Sequence, residues 1–260
     1  MLDGERASNY RVRRVRSAIW WAAKNPRRFL REAARLALQH EAAARLASLP
    51  VVELAELAAE ADELVVRLPR AVTRHPWSLG AAEQLSLQIL IRARGCKTAF
   101  EIGTFNGGTT RLLAETLPED GHVWTLDLPP GAFDASQESA GFSGSQVGVA
   151  YRDSWAAPKI TQLLWNSLDY DFGPFEGSAD LVLVDGGHEY KNGVADTLAA
   201  LCLVRPGGIV VWDDFEPYWH GLVNGICDAM RGRQLCRLAG TALGVYIAGP
   251  RAPTGDAFEA

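Results

Sequence analysis

From residue 11 to residue 68, apolar positions recur at the three- and four-residue spacing of amphipathic helices, interrupted at Asn25-Pro26 and Leu49-Pro50. The first break pairs an N-cap residue with a proline at the first helical position, so a helix is expected to start there. In the helix that follows, Leu30, Ala33, Ala34, Ala37 and Leu38 share one face, and Arg27, Arg28, Arg31 and Arg35 fill much of the rest. A third helix is expected from about Val51 to Leu68, with Leu54, Leu57, Ala61, Leu64 and Val65 set against Glu53, Glu56, Glu60 and Glu63. A further helix is expected near Ala81–Ala93. The pattern then changes to short apolar runs alternating with helical stretches, as in a parallel sheet with crossover helices. The runs are Thr98–Ile102, His122–Leu126, Ile160–Trp165, Asp180–Val184, Ile209–Trp212 and Thr241–Ile247. Between Pro129 and Gly148 the chain is rich in Gly, Ser and Pro without a period, which predicts a long loop.

Four of the runs end in acid: Glu101 with Gly103, then Asp127, Asp185 and Asp213-Asp214. In an open parallel sheet these strand ends share one edge, where ligands bind. Solvation alone accounts poorly for four acidic clusters there.

A chain of 260 residues, 48% hydrophobic and 22% charged, suits one α/β core with an appendage. The division expected is a basic helical extension over 1–75 and a catalytic domain over 76–260. Residues 1–50 hold 11 Lys/Arg against 4 Asp/Glu, a net +7 that leaves −12 for the remainder. An acidic body argues against nucleic acid as substrate. The four cysteines form no Cys-x-x-Cys pair, so neither a disulfide framework nor structural zinc is indicated, and a reducing cytoplasm is expected. No apolar run reaches the ~20 residues of a membrane span. Arginines from Arg11 to Arg35, interleaved with Trp20 and Trp21, suit peripheral contact with an anionic inner membrane face; packing on the catalytic domain or a second subunit is the alternative.

The segment Phe100 to Thr110 reads as a strand, a glycine turn and a helix start, with Glu-x-Gly-x-x-x-Gly spacing. Glycine permits close backbone approach, and a helix N-terminus favours a carboxylate. A purely structural glycine turn is the alternative. Asp127 lies 26 residues after Glu101, where a carboxylate takes both hydroxyls of a ribose, unless it only accompanies the Pro129-Pro130 turn. Asp185 and Asp213-Asp214 on neighbouring strand ends repel unless a cation lies between them, so a hard divalent ion is the economical explanation, with loop capping the alternative. His188, three residues after Asp185, is placed to act as a base on a hydroxyl substrate, although a lone histidine is often structural. Phe215, Tyr218 and Trp219 are read equally as a sugar-stacking wall or as core.

Taken together, Glu-Ile-Gly-Thr-x-x-Gly-Gly-Thr-Thr, Leu-Val-Leu-Val-Asp-Gly-Gly-His-x-Tyr and Gly-Gly-Ile-Val-Val-Trp-Asp-Asp resemble class I S-adenosylmethionine-dependent methyltransferases. The chain is similar to the macrocin and mycinamicin sugar O-methyltransferase type over about residues 77–248, and more distantly to catechol and caffeoyl-CoA O-methyltransferases. That resemblance implies a Rossmann-like sheet of seven strands, with a late antiparallel strand at about Thr241–Ile247. It implies that Glu101, Gly103, Thr104 and Gly107 line the methionine end, that Asp127 binds ribose, and that Asn166-Ser167 lies near the adenine. Thr109 and Asp185 complete the implied cofactor set. Magnesium would sit on Asp185, Asp213 and Asp214, with His188 as base and a hydroxyl of a sugar, glycoside or other small molecule as acceptor. A homo-oligomer is expected. The sugar-modifying relatives usually carry Glu-Asp where this chain has Asp213-Asp214, and the basic N-terminal segment has no clear counterpart. Two rivals remain: a nicotinamide-dependent dehydrogenase, disfavoured by the glycine spacing, and a non-catalytic scaffold or adaptor, which would be expected to have lost these residues.

Overall fold

Short runs of β-branched and aromatic residues pair into one mixed sheet in the computed structural model, which describes residues 24–58, 66, 78–132 and 144–249. The strands are β1 (Val51–Val52), β2 (Thr98–Ile102), β3 (His122–Asp127), β4 (Ile160–Leu164), β5 (Ala179–Val184), β6 (Val204–Trp212), β7 (Cys236–Leu238) and β8 (Gly244–Ile247). Their order is β1-β7-β8-β6-β5-β2-β3-β4, and β8 alone runs against the others. The helices are α1 (Pro26–Ser48), α2 (Leu54–Leu57), α3 (Ala81–Ala93), α4 (Gly108–Thr116), α5 (Val149–Arg152), α6 (Tyr190–Leu203) and α7 (His220–Ala229).

Every residue of β5 is buried, because β2 and β6 flank it and helices cover both faces. Alternation along the central strands divides the core in two. Phe100, Val182, Val210 and Trp212 pack with α6 and α7, whereas Ala99, Leu181, Ile209 and Val211 pack with α3 and α4. Trp212 is fully buried and satisfies its indole N–H by donating to Thr197 Oγ1 at 3.0 Å.

Three expectations need correction. The sheet has eight strands among the described residues, not seven, and the helix expected from Val51 to Leu68 does not begin at Val51. The β-branched Val51 and Val52 instead extend the open edge of β7. There Arg237 N–H donates to Pro50 O at 2.8 Å and Ala239 N–H to Val52 O at 3.0 Å. Glu53 and Glu56 then form a capping box that starts the short α2; 59–65 and 67–68 lie outside the described residues. The run expected at Thr241–Ile247 pairs only from Gly244, because Thr241 is in the β7–β8 turn, its hydroxyl donating to Leu238 O at 2.9 Å. Of the loop expected from Pro129 to Gly148, residues 133–143 lie outside the described residues, as do Arg11 to Trp21 of the basic segment.

The C-terminal half of α1 packs on the sheet domain. Ala42 and Leu46 join the core beside α7, and Arg45 Nη1 meets Asp228 Oδ1 at 2.9 Å. Asn25 is the N-cap residue but makes no side-chain cap hydrogen bond.

Candidate active site

Backbone hydrogen bonds continue the sheet past the strand ends and hold the acidic turns together. Gly103 N–H donates to Leu126 O at 2.8 Å, Asp185 N–H to Ile102 O at 2.8 Å, and Asp213 N–H to Val184 O at 3.0 Å. Gly103 has φ +103°, and a β-carbon there would lie 1.9 Å from Asp185 O, so only glycine lets the two turns approach. Gly107, at φ +81°, turns the chain into α4, and its α-carbon faces the Tyr151 ring.

A cavity of about 930 Å³ opens over these turns. Its wall includes Gly103, Thr104, Thr109, Asp127, Asn166, Ser167, Asp185, His188, Asp213 and Asp214. Glu101 and Gly107 are the two candidate residues outside that wall. Glu101 is fully buried beneath it, accepting hydrogen bonds from Thr110 and, at 2.5 Å, from Thr125. Burial pushes its carboxyl up to about 8 against the opposing pull of those hydroxyls. Asp127 anchors the glycine turn, its Oδ2 accepting from Thr104 N–H at 3.0 Å and Phe105 N–H at 2.7 Å. Burial raises its pKa while those amides lower it. Asn166 caps the 3-10 turn Ser167–Asp169, its side chain accepting from Leu168 N–H at 3.1 Å.

Asp185, Asp213 and Asp214 bring carboxylate oxygens within 4.8 Å of one another. Burial, then the charges of Asp213 and Asp214, hold Asp185 well above the usual carboxylate range. Burial and the neighbouring Asp214 push Asp213 up to about 7. Such mutual repulsion is relieved by a cation, and three oxygen donors suit a hard divalent ion such as magnesium. Asp214 holds a positive φ of 55°, uncommon for a residue other than glycine and frequent at functional turns. Its Oδ2 also faces His188 Nε2 at 2.7 Å, and the His188 ring stacks on Trp219 with centroids 3.9 Å apart.

The aromatic run after these acids divides its roles. Phe215 is core, whereas Tyr218 and Trp219 line the site. A second cavity of about 1390 Å³ shares His188, Trp165, Tyr218 and Trp219 with the first and extends to Arg35, Leu38 and Gln39 of α1.

Some participants gave no recognisable signal. Glu83 of α3 enters the cavity wall and accepts from Ala242 N–H at 3.1 Å. Gln162 of β4 donates to Thr104 Oγ1 at 2.9 Å and accepts from Tyr151 O–H at 2.6 Å, bracing the turn from behind. Both arrive through long-range packing that no local spacing records.

Residues 100–215 match the model of a methyltransferase domain. Among curated proteins, the chain is 28% identical over 170 residues to caffeoyl-CoA O-methyltransferase of Pinus taeda, covering 64% of this chain and 62% of that protein. It is 28% identical over 164 residues to caffeoyl-CoA O-methyltransferase 2 of Zea mays, covering 62% and 58%. The chain thus spans about six-tenths of the length of these relatives. The O-methyltransferase TomG of Streptomyces achromogenes, solved with SAM and involved in tomaymycin synthesis, superposes with a TM-score of 0.53 at 20% identity, covering 72% of this chain and 93% of that one. The SAH-bound Podospora anserina methyltransferase PaMTH1 gives 0.51 at 16% identity, covering 71% and 89%. By sheet order and these likenesses, the chain shares the Rossmann-like fold of class I methyltransferases, and its residues 100–215 resemble a methyltransferase domain.

Proposed function

We propose that this chain is an S-adenosylmethionine-dependent O-methyltransferase, assisted by magnesium, that methylates a hydroxyl of a sugar, glycoside or similar small molecule. The observation that carries the reading is the convergence, in one cavity, of Asp127, the three-carboxylate cluster and His188. The relatives named caffeoyl-CoA O-methyltransferase support oxygen as the methylated atom.

Within the cofactor site, Asp127 receives the ribose hydroxyls on lone pairs left by its backbone partners, and the Gly103 to Thr109 turn receives the methionine end. Asp185, Asp213 and Asp214 would hold the ion. When bound, S-adenosylmethionine supplies a sulfonium methyl, and the ion lowers the pKa of an acceptor hydroxyl and orients it. Because Nε2 of His188 faces the Asp214 carboxylate, its proton is held there, and Nδ1 keeps the lone pair that accepts the hydroxyl proton. Trp219 fixes the plane of that ring. The acceptor body lies in the second cavity between Trp165, Tyr218 and α1, where exposed aromatic faces suit the apolar face of a sugar. The four cysteines form no disulfide among the described residues, which supports a reducing cytoplasm as the compartment.

A methyl-transfer assay against sugars, glycosides and catechols tests this reading. Turnover is expected to cease in EDTA and return with magnesium. Asp213→Ala is expected to abolish turnover while leaving cofactor affinity within a few-fold, since its strand end lies away from Asp127. His188→Ala is expected to lose roughly 10²–10⁴-fold in rate, the usual contribution of a positioned base. Turnover that survives EDTA, or full activity in His188→Ala, contradicts the corresponding role.

A further inference from the structure

Helix α1 changes character along the side it turns toward the sheet domain. Residues seven apart share a helix face, so Arg28, Arg35 and Ala42 lie in one row, with Arg31 and Leu38 beside it. At the C-terminal end of that side Ala42 and Leu46 are buried in the core. Toward the N-terminus the same side turns basic and passes over the second cavity, where Arg35, Leu38 and Gln39 share a wall with His188 and Trp219. Lys191 of α6 enters that wall as a second cation. Each cation is paired with an exposed acid close by in the chain. Arg35 Nη2 meets Glu32 Oε1 at 2.6 Å, with the side chains 44% and 50% exposed, and Lys191 Nζ meets Glu189 Oε2 at 2.9 Å, with 64% and 72% exposed. Exposed pairs of this kind contribute little to stability, so a stronger anion can displace the acids. Within the wall, Arg35 and Lys191 are balanced by Asp169 and Glu189. The α1 side is tipped to positive by its flank, because residues 26–40 hold four arginines and one acid in a chain whose remainder is acidic.

Resting on the acceptor reading above, we propose that this side of the second cavity receives a phosphate ester carried by the acceptor, with Arg35 as its main ligand. A guanidinium offers a planar fork that meets two phosphate oxygens at once. Cations from two helices, with Arg28 and Arg31 extending one of them, match the near-double charge of a phosphate monoester better than the single charge of a carboxylate. The acceptor is then a phosphorylated sugar or a similar small molecule, its reacting hydroxyl at His188 and its phosphate at α1. Arg35 acts on specificity and binding, and takes no part in the transfer itself.

Steady-state methylation by the full chain of two acceptors that share a catechol diol tests the assignment: 3-(3,4-dihydroxyphenyl)propyl phosphate and the corresponding alcohol. The wild type is expected to prefer the phosphate by about tenfold or more in kcat/KM, chiefly through KM, and less so as salt is raised. Arg35→Ala is expected to reduce that preference to about threefold or less, and Arg35→Lys, which keeps the charge but loses the fork, to fall between. Glu32→Gln, which releases the guanidinium from its competing carboxylate, is expected to raise the preference. Arg231→Ala, at an 81% exposed arginine that lines neither cavity, is expected to leave it unchanged. If Arg35→Ala does not fold, Arg35→Lys and Glu32→Gln carry the decision. Wild-type turnover of the alcohol without preference for the phosphate overturns the phosphate site alone. So does a wild-type preference in the Arg35 variants, or an equal loss in Arg231→Ala. If the wild type methylates neither compound, the acceptor reading falls and takes the phosphate site with it.

Discussion

Glu101 sits in the second-last position of β2 with its whole side chain out of water. One carboxyl oxygen accepts from Thr110 and Thr125, and the other has no partner among the described residues. Burial raises its pKa to about 8, whereas an unfolded glutamate titrates near about 4.3. The sign follows from linkage: the folded form holds a proton that the unfolded chain has lost, so this contribution is present below the unfolded pKa and is lost as pH rises through about 8. In EDTA and without ligand, the wild type is therefore expected to lose melting temperature between about pH 5 and pH 8. Glu101→Gln imitates the protonated acid and keeps an oxygen for both threonines, so its profile is expected to be flatter. Some slope remains, because Asp185 and Asp213 are raised in the same direction. Scanning calorimetry across that range checks it, and a Glu101→Gln profile parallel to the wild type contradicts the assignment. The sequence identifies Glu101 as part of the motif. That it turns inward to brace α4 and β3, while Thr104 and Asp127 face the cavity, depends on partners nine and 24 residues away.

The central strands are legible because β2, β3 and β5 are largely apolar runs that end in acid, with glycine following in β2 and β5. Strands β1 and β7, of two and three residues, are too short to carry a period, and they form only because each offers the other a partner. Helix α1 is legible as an amphipathic helix, but not the direction it faces. Leu46 and Ala42 enter the core, whereas Phe29, Leu30 and Leu36 are 43%, 65% and 53% exposed. No helix among the described residues is long and apolar enough to cross a membrane. The exposed apolar face beside Arg27, Arg28 and Arg31 is expected to rest on an anionic bilayer, with the acidic body turned away. Full-length chain is expected to sediment with vesicles containing phosphatidylserine, less so at high salt, and Leu30→Glu with Leu36→Glu to release it. If the double variant leaves sedimentation unchanged, or if it instead dissociates a homo-oligomer, the membrane assignment falls.

Across the whole molecule, one edge of the sheet gathers residues spread from Thr104 to Asp214. Chain order made that edge legible, because parallel strands joined by crossover helices must bring their carboxyl ends to the same side. The rest of the cavity was not legible: Glu83, Trp165 and the Trp219 ring against His188 come from helices and turns whose local pattern serves packing equally well. This edge is expected to bind S-adenosylmethionine through Asp127 instead of a dinucleotide. Isothermal titration of the full chain with S-adenosylhomocysteine and, separately, with NAD tests it most directly. S-adenosylhomocysteine is expected to bind, NAD to give no heat, and Asp127→Ala to weaken the former at least about tenfold, the loss of one charged hydrogen-bond acceptor. Binding of NAD in place of S-adenosylhomocysteine, or unchanged affinity in Asp127→Ala, would contradict it.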